Sequence, residues 1–304
     1  MAEYLFRRFT QSIATLLIVA VLAFLLARLA GDPVPLLMPA QATQQDLDFF
    51  RNQLGLDRPL YEQFFVFLGN IVIGDFGNSF RYDQPALELV LQRMVPTAQL
   101  ALCAMALSIV LGIPFGVMAA VRRNSLFDRS VRFVATVAQS TPVFWLGLML
   151  MLVFSVWLRL TPTSGHGTLK HLILPTITLG VFSAASLARL TRSSMIEVLQ
   201  SDYVKLGRLC GLPWWLIVFK HALRNAAAPI LTFMALQLGA LLGGAVITET
   251  IFAWPGFGQL MVNAILFRDF PVIQAAIVVT AVILLMINLA VDILYKVLDP
   301  RVGI

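Results

Sequence analysis

The sequence lacks the motif by which a P-loop enzyme binds nucleotide phosphates. A phosphate-binding P-loop needs Gly-Lys-Ser or Gly-Lys-Thr, because backbone amides and the lysine together cradle the phosphates. No lysine of this chain follows a glycine; the lysines are Lys170, Lys205, Lys220 and Lys296. We therefore predict that the chain is not an enzyme and has no ATPase site of its own.

The cysteines and histidines do not have the spacing of a metal centre or of a disulfide framework. Cys103 lies in an apolar run and Cys210 in a basic stretch, and we expect both to be small buried side chains. His166 and His171 lie in a short loop beside two glycines, which is typical of ordinary loop residues; handling of a metal ion is the alternative. The sequence predicts no metal site and no cofactor bound by this chain.

Ionisable residues in the middle of apolar runs would indicate a carrier driven by protons or sodium, because such residues are costly in a membrane. The apolar runs of this chain hold almost none. Arg189, Glu249 and Asp292 lie near the ends of runs, where we expect their side chains to reach the membrane interface. This pattern favours a pore that is powered from outside over a self-powered carrier or channel.

The composition places these residues in a membrane protein. Hydrophobic residues make up 59% of the 304-residue chain and charged residues 12%, about half the charged fraction of a soluble domain. A crossing helix needs roughly 20 apolar residues, and we predict an all-α membrane protein with six transmembrane helices. The predicted apolar runs are Phe9–Leu26, Thr97–Val121, Val131–Leu158, Leu172–Leu190, Pro229–Thr250 and Val272–Leu294.

The polar section between the first two runs predicts a small extracytoplasmic segment. The division we predict is 1–30 for the N-terminal end and first crossing, 31–96 for this segment, and 97–304 for a five-helix core with a cytoplasmic loop at 200–225. The apolar stretch at 64–73 within the segment is too short to span the membrane, so we expect it to lie on the membrane surface or to pack beneath the rest of the extracytoplasmic segment.

Cytoplasmic loops carry an excess of Lys and Arg, so the distribution of these residues predicts the orientation. If both termini are cytoplasmic, 14 of the 22 Lys and Arg residues lie on the inner side. They are Arg7, Arg8, Arg122, Arg123, Arg129, Arg132, Arg189, Arg192, Lys205, Arg208, Lys220, Arg224, Lys296 and Arg301. We therefore predict that both ends, and the loop at 200–225, are cytoplasmic.

The stretch "DYVKLGRLCGLPWWLIVFKHALRN" from Asp202 to Asn225 predicts two helices joined by a sharp turn. Ser201 and Asp202 are suited to a helix start, Gly211 to the position after a helix end, and Pro213 to the first turn of the next helix. Such an amphipathic segment has two uses: it can rest on lipid with its tryptophans as interfacial anchors, or fit a groove on a cytoplasmic partner. The residues alone leave both open.

The same stretch resembles the coupling loop of ABC transporter permeases of the dipeptide, oligopeptide and nickel import subfamily. Other parts of the chain agree with that family in order, so the resemblance covers essentially the whole chain. These parts are "LGLDRPLYEQF", "GDFGNSF", "MVPTAQLAL", "ILPTITLG", "ETIFAWPGFGQLMVNAI", "RDFPVIQA" and "NLAVDILYKVLDPRV". The positions that carry Glu-Ala-Ala in the wider superfamily are Lys205, Leu206 and Gly207 here, and a glycine inside a helix weakens it by about 1 kcal/mol.

The resemblance implies the type I ABC importer permease fold and a multi-pass subunit of the bacterial inner membrane. It implies as partners a second homologous permease, two ATP-binding cassette subunits that hold ATP and magnesium, and an extracytoplasmic solute-binding protein; nucleic acid is not among them. It predicts short peptides as the substrate, with nickel chelates or glutathione-like solutes as alternatives. It assigns ATPase docking to Asp202, Tyr203, Gly207, Arg208, Gly211 and Leu212, and the connection to the next crossing to His221, Arg224 and Asn225.

Two further groups of residues have both a functional and a structural interpretation. Gln139, Ser140 and Gln237 are candidates for the translocation path, but the structural interpretation, a kink at Pro142 or polar links between helices, is the favoured one. Glu249, Pro255 and Gly256 are candidates for an outer gate loop. An ion-coupled transporter or channel, and a membrane-anchored assembly factor without a transport path, are the alternatives from other functional classes.

Overall fold

The computed structural model describes residues 2–29, 34–38, 43–53 and 55–298. Within these residues every regular element is helical, and the only β-type pairing is an isolated bridge between Asn78 and Pro85. This confirms the prediction of an all-α protein. The helices are α1 (Ala2–Leu29), α2 (Val34–Leu37), α3 (Gln44–Gln53), α4 (Leu60–Ile73), α5 (Ala86–Val121), α6 (Leu126–Ser140), α7 (Val143–Leu150), α8 (Leu169–Leu199), α9 (Asp202–Leu209), α10 (Trp214–Leu216), α11 (Leu223–Gly244), α12 (Val246–Ile251), α13 (Phe257–Leu266) and α14 (Phe270–Leu298).

Four helical stretches of the described chain are long and apolar enough to cross a membrane: Ala86–Val121, Leu169–Leu199, Trp214–Leu242 and Phe270–Val291. A fifth candidate consists of α6 together with the helix that follows it. The first predicted crossing corresponds to the shorter apolar helix Thr10–Leu26 within α1. The multi-pass character is therefore confirmed, and the number of six crossings stays a prediction.

The third apolar run is broken at Pro142, where the structural interpretation of the sequence placed a kink. α6 and the helix beginning at Val143 meet at 98°, and the second arm continues as a π-helical segment, Met151–Trp157. The break lies at Thr141 and Pro142, which both have extended backbone angles. Proline disfavours the helical conformation of the residue before it and has no N–H to donate, which accounts for the bend at this point.

The fifth apolar run begins earlier and ends earlier than predicted. A helical stretch starts at Trp214, passes through a π-helical segment at Ile217–Ala222, and continues as α11 to Gly244. Pro229, predicted as the start of the crossing, lies inside α11. The predicted end at Thr250 falls in the separate helix α12.

Two compact units divide the chain. The first consists of the described residues up to Val95 together with Phe257–Met286, and the second consists of Pro96–Gly256 together with the described chain from Ile287 onward. The core of the first unit is formed by the start of α5, by α13 and by the first half of α14. Its buried residues include Leu89, Phe257, Leu260 and Val272.

α8 is the central helix of the second unit, and it packs against α6, α7 and α11. One core cluster joins α5, α8 and α11 around Leu100, Leu179 and Trp254. Another joins α5, α8 and the 217–230 stretch around Leu187, Met195 and Val218. Because α8 contributes to both clusters, the unit is organised around this helix.

α5 and α8 approach each other closely because glycines lie at their crossing. A Cβ on Gly112 would lie 3.0 Å from the carbonyl oxygen of Ala184, and one on Gly116 would lie 2.7 Å from that of Ala188. Gly180 of α8 faces α5 in the same way, with its ideal Cβ 2.7 Å from the Leu107 side chain. Small residues four apart permit such contact between membrane helices.

We predict that Gly116→Ala destabilises the protein, because the added methyl group would overlap backbone atoms of α8 that cannot move independently. Overpacking of this kind costs about 1–3 kcal/mol. Gly69→Ala in α4 is the matched control: its Cβ meets nothing within 4 Å, and alanine is the better helix former. Thermal unfolding of the purified variants should show a lower midpoint for Gly116→Ala only; equal midpoints would contradict the close crossing.

Candidate functional site

The helix-turn-helix predicted at residues 202–225 is present. α9 begins after Ser201 and ends at Leu209, Cys210 caps it, and Gly211 follows in the left-handed conformation with φ of 75°. The Gly211 and Leu212 amides donate to the carbonyl oxygens of Arg208 and Gly207 at 3.0 and 3.1 Å. This turn needs a residue without a Cβ, because φ in this range is strained for other side chains. Pro213 was predicted to lie in the first turn of the next helix; it is the residue immediately before that helix, α10, which begins at Trp214.

α9 is fixed to the rest of the second unit through its buried side. Val204 is 1% exposed and Ile217, in the π-helical segment, is 2% exposed. Gly207 lies against Leu212 and Ile217, with its ideal Cβ 3.5 Å from the nearest atom of Leu212. A Cβ at position 207 would therefore lie at ordinary contact distances from Leu212 and Ile217, which follow α9 in the chain.

Polar contacts hold the ends of α9. Lys205 donates to the Asp202 carboxylate at 2.8 Å, and this hydrogen bond keeps the pKa of Asp202 below its usual value. Asn225 donates to the Tyr203 hydroxyl at 3.0 Å, which links the predicted docking helix to the start of α11. The Arg208 guanidinium lies 4.2 Å from the centre of the Trp214 ring, a favourable cation–π geometry.

An apolar groove of about 320 Å³, which we call the α9 groove, lies between α9 and the chain that follows it. Leu206 and Tyr203 on its wall are exposed by 60% and 45%. The complete lining is Tyr203, Val204, Leu206, Gly207, Cys210, Leu212, Ile217 and His221. Cys210 is exposed, so its prediction as a buried side chain is wrong. Arg224 is exposed and has no hydrogen bond or ion pair within the described residues.

Of the predicted outer gate residues, Glu249 and Gly256 lie in contact. Glu249 is 0% exposed, so the prediction that its side chain reaches the membrane interface is wrong. Its Oε1 accepts from the Thr97 hydroxyl at 2.6 Å, and a Cβ on Gly256 would overlap its carboxylate. Trp254 is buried beside it and donates from Nε1 to the Pro96 carbonyl oxygen at 3.0 Å. The stretch 249–256 therefore folds back around a buried carboxylate.

The predicted path residues divide into two that link helices and one that is exposed. Gln139 of α6 donates to Ser186 at 2.9 Å, and Gln237 of α11 donates to Ser183 at 2.8 Å. Both serines belong to α8, so the two glutamines tie neighbouring helices to the centre of the unit. Ser140 is exposed at the end of α6. The geometry of the glutamines matches the structural interpretation, and the role of Gln139, Ser140 and Gln237 as path residues stays a prediction.

The predicted loop histidines have separate environments. His166 packs edge-on against Trp254 with ring centres 4.5 Å apart, while the Nδ1 of His171 lies 2.7 Å from the Thr168 hydroxyl. In the part of the chain that the structure describes, no three side chains of the metal-binding types come together.

Sequence reasoning missed a buried ion pair between α6 and α8. Asp128 is 0% exposed and accepts from Arg192 at both carboxylate oxygens, at 2.5 and 2.8 Å. The Asp128 carboxylate also accepts a hydrogen bond from the backbone amide of Asn124, and the backbone amide of Asp128 donates to the Ser125 hydroxyl. The spacing of Ser125 and Asp128 is that of a helix-capping pair, and this was the available signal; Arg192, 64 residues away, gave none.

A second buried carboxylate was also missed. Asp269 accepts from the Ser79 hydroxyl at 2.5 Å and from the Phe80 amide at 3.1 Å. These contacts join "GDFGNSF" to "RDFPVIQA" within the first unit. Arg81 stacks on Phe267 at 3.6 Å in the same region. Both segments carried the family resemblance, but nothing in the sequence pairs residues 190 positions apart.

Two family models together match nearly the whole chain. Residues 112–304 match the binding-protein-dependent transport system inner membrane component, and residues 1–101 match the N-terminal region of the corresponding membrane components. The glutathione transport system permease protein GsiC of Escherichia coli K12 is 42% identical over 303 residues, covering 99% of both chains. The protein of the same name from Pectobacterium atrosepticum is 43% identical over the same length.

The fold also occurs in a solved transporter. An inward-facing structure of the MetNI methionine ABC transporter matches with a TM-score of 0.60 at 20% identity, covering 69% of this chain and 96% of the other. At this identity the match is one of fold, and it confirms the predicted permease fold.

We predict that the effect of Gly256→Ala depends on Glu249, because the new methyl group would occupy the space of its carboxylate. Gly256→Ala alone should lower the free energy of unfolding by about 1–3 kcal/mol. In a Glu249→Ala background the same change should cost far less, which gives a coupling energy of about 0.5–3 kcal/mol in a double-mutant cycle. The measurement is thermal or denaturant unfolding of the four purified proteins.

The control for this cycle is Gly147→Ala, whose Cβ would lie at least 3.4 Å from its neighbours. Its small effect should be the same with Glu249 or Ala at position 249. Additive effects of Gly256→Ala and Glu249→Ala would show that the carboxylate does not shape this turn.

Proposed function

This chain belongs to the family of binding-protein-dependent transport system inner membrane components, and from that premise we propose how it is powered and what it carries. The chain is the permease subunit of an ABC importer, a multi-pass protein of the inner membrane. Its family implies partner ATPase subunits and a solute-binding protein. The proposals concern the docking site, the composition of the assembly and the substrate.

In our proposal, α9 and its turn receive an ATP-hydrolysing subunit at the α9 groove. The observation that carries the proposal is the exposure of Leu206 and Tyr203 beside the buried side chains of Val204 and Ile217. An apolar groove that is held rigidly suits recognition by a complementary surface. The docking residues are Asp202, Tyr203, Gly207, Arg208, Gly211 and Leu212, with His221, Arg224 and Asn225 connecting them to α11.

The proposed assembly pairs this chain with a second homologous permease, two ATPase subunits and an extracytoplasmic solute-binding protein. ATP and magnesium bind to the ATPase subunits, and this chain binds no cofactor. Both termini and α9 lie on the cytoplasmic side, which the excess of Lys and Arg in those segments supports. The stretch 249–256 belongs to the outer gate, and solute passes between the two permeases.

Short peptides of the glutathione type are the proposed substrate. The relatives that match over 99% of their length are named glutathione transport permeases, which favours this alternative over longer peptides or nickel chelates. Glutathione is itself a modified tripeptide, so the proposal stays within the predicted class of short peptides. Selection among such peptides falls to the solute-binding protein, since that subunit captures the solute first.

We expect Leu206→Glu to uncouple the assembly. Leu206 is 60% exposed, so the substitution should leave folding intact, but docking would bury a charge without a partner. Binding of the ATPase subunit should weaken by about tenfold or more, corresponding to at least 1.4 kcal/mol. The measurement is co-purification of the ATPase together with hydrolysis stimulated by the binding protein, in lipid nanodiscs.

Leu169→Glu is the matched control for this substitution. Leu169 is 79% exposed and is the first residue of α8, where a carboxylate is favoured by the helix dipole. It should leave ATPase binding unchanged. If Leu206→Glu also leaves binding and hydrolysis unchanged, α9 rests on lipid and is not the docking site.

The substrate proposal predicts uptake of glutathione into proteoliposomes that contain the assembly and ATP. Uptake should require the solute-binding protein of the same system and should exceed uptake of a nickel chelate by at least about tenfold. The measurement uses radiolabelled glutathione and radiolabelled nickel in parallel. Uptake of nickel without uptake of glutathione would reverse the order of the two substrates.

A further inference from the structure

The first unit contains a cavity of about 480 Å³. None of its lining residues belongs to the α9 groove or to the proposed gate at 249–256, so neither proposal gives the cavity a role. Its walls come from the end of α1, from α4 and the loop around it, and from the start of α14. Under the orientation proposed above, these parts belong to the outer side of the membrane. A volume in the range of about 300–1,000 Å³ is typical of sites for small molecules.

Polar groups with unused hydrogen-bonding capacity line this cavity. Gln63 is only 8% exposed, and its Nε2 donates to the carbonyl oxygens of Leu56 and Arg58 at 3.2 and 2.6 Å. Its Oε1 is buried and has no partner. The side-chain amides of Asn70 and Gln274 also make no hydrogen bond with any residue that the structure describes. Buried polar groups are normally satisfied, so the buried Oε1 of Gln63 indicates a polar ligand, and the partly exposed amides of Asn70 and Gln274 are accessible to such a ligand.

The charges of the lining define that ligand further. Arg28 and Arg58 contribute two positive charges and Asp75 one negative charge. Arg58 is exposed and makes no ion pair within the described residues, while an Oδ1 of Asp75 accepts the Gly77 amide at 2.9 Å. Arginine binds carboxylates through two parallel hydrogen bonds. Phe24, Phe67 and Phe270 supply the apolar part of the wall.

We propose that this cavity binds a short peptide with two carboxylates and one ammonium group, the charge pattern of glutathione, on its way into the permease. The two arginines face the carboxylates, Asp75 faces the ammonium group, and the amides of Gln63, Asn70 and Gln274 bind the peptide groups. The inference rests on the proposed function, because it places a second contact for the same solute on the permease itself. It adds a site outside the solute-binding protein that contributes to selection.

The test measures binding directly, with the solute-binding protein left out. The assembled transporter in nanodiscs is titrated calorimetrically with reduced glutathione and with its diethyl ester, which lacks both carboxylates. We expect glutathione to bind and the ester to bind at least about tenfold more weakly, the loss typical of a hydrogen bond to a charged group. Absence of glutathione binding, or equal binding of the ester, would overturn the proposal.

Variants locate the binding in the cavity. Arg58→Ala and Gln274→Leu should each weaken glutathione binding by about tenfold. Arg51→Ala is the matched control, because Arg51 carries the same charge in the same segment, does not line the cavity, and pairs with Asp48 at the surface. It should bind glutathione as the wild type does. Binding that all three variants leave unchanged would place the glutathione elsewhere and refute the site.

Uptake assays separate this inference from the proposed function. If the wild type imports glutathione but shows no binding without the solute-binding protein, the cavity proposal fails while the substrate proposal stands. If glutathione binds in the cavity but is not imported, the substrate proposal fails while the site stands. If Arg58→Ala abolishes stimulation by the solute-binding protein without weakening glutathione binding, the cavity receives a segment of that protein, and our proposal is wrong.

Discussion

The fixed position of α8 is the constraint on which the second unit depends. Gly112 and Gly116 bring α5 against its backbone, Ser183 and Ser186 receive glutamines from α11 and α6, and Arg192 holds Asp128. Each contact is of a kind that forms only when the two helices have one particular register, because close backbone contact and paired polar groups tolerate little displacement. α8 leads into α9 after only two residues. A subunit that displaces α9 therefore acts on the helix to which three others are fastened.

The parts of the site that were predictable depend on local chemistry. The turn after α9 could be predicted because Gly211 permits the left-handed conformation and Pro213 fixes its own φ, whatever the rest of the chain does. The apolar runs predicted helices because length and composition are also local properties of the sequence. The α9 groove itself was less accessible to prediction, because its base is Ile217, and the burial of that residue depends on how the chain returns after Pro213.

The parts that escaped prediction depend on residues far apart in the sequence. Thr97 lies 152 positions from Glu249, and Ser79 lies 190 positions from Asp269. Periodicity and turn propensity carry no information over such distances. The bend of 98° at Pro142 is an intermediate case: the proline predicts a break in the helix, but the angle depends on how α6 and α7 each pack against α8. Sequence patterns therefore located the break without giving its size.

The buried carboxylates bear on the proposal that this permease is powered from outside. The sequence supported that conclusion by the scarcity of ionisable residues inside the apolar runs, yet Glu249 and Asp128 are both fully buried. A carboxylate that carries protons must exchange its partners, whereas Asp128 is held by Nε and Nη2 of Arg192. Glu249 is held by Thr97 and enclosed by Gly256, which leaves no room for a larger residue. Removing one partner of a buried ion pair such as that of Asp128 and Arg192 costs about 3–5 kcal/mol, so this pair fixes α6 to α8.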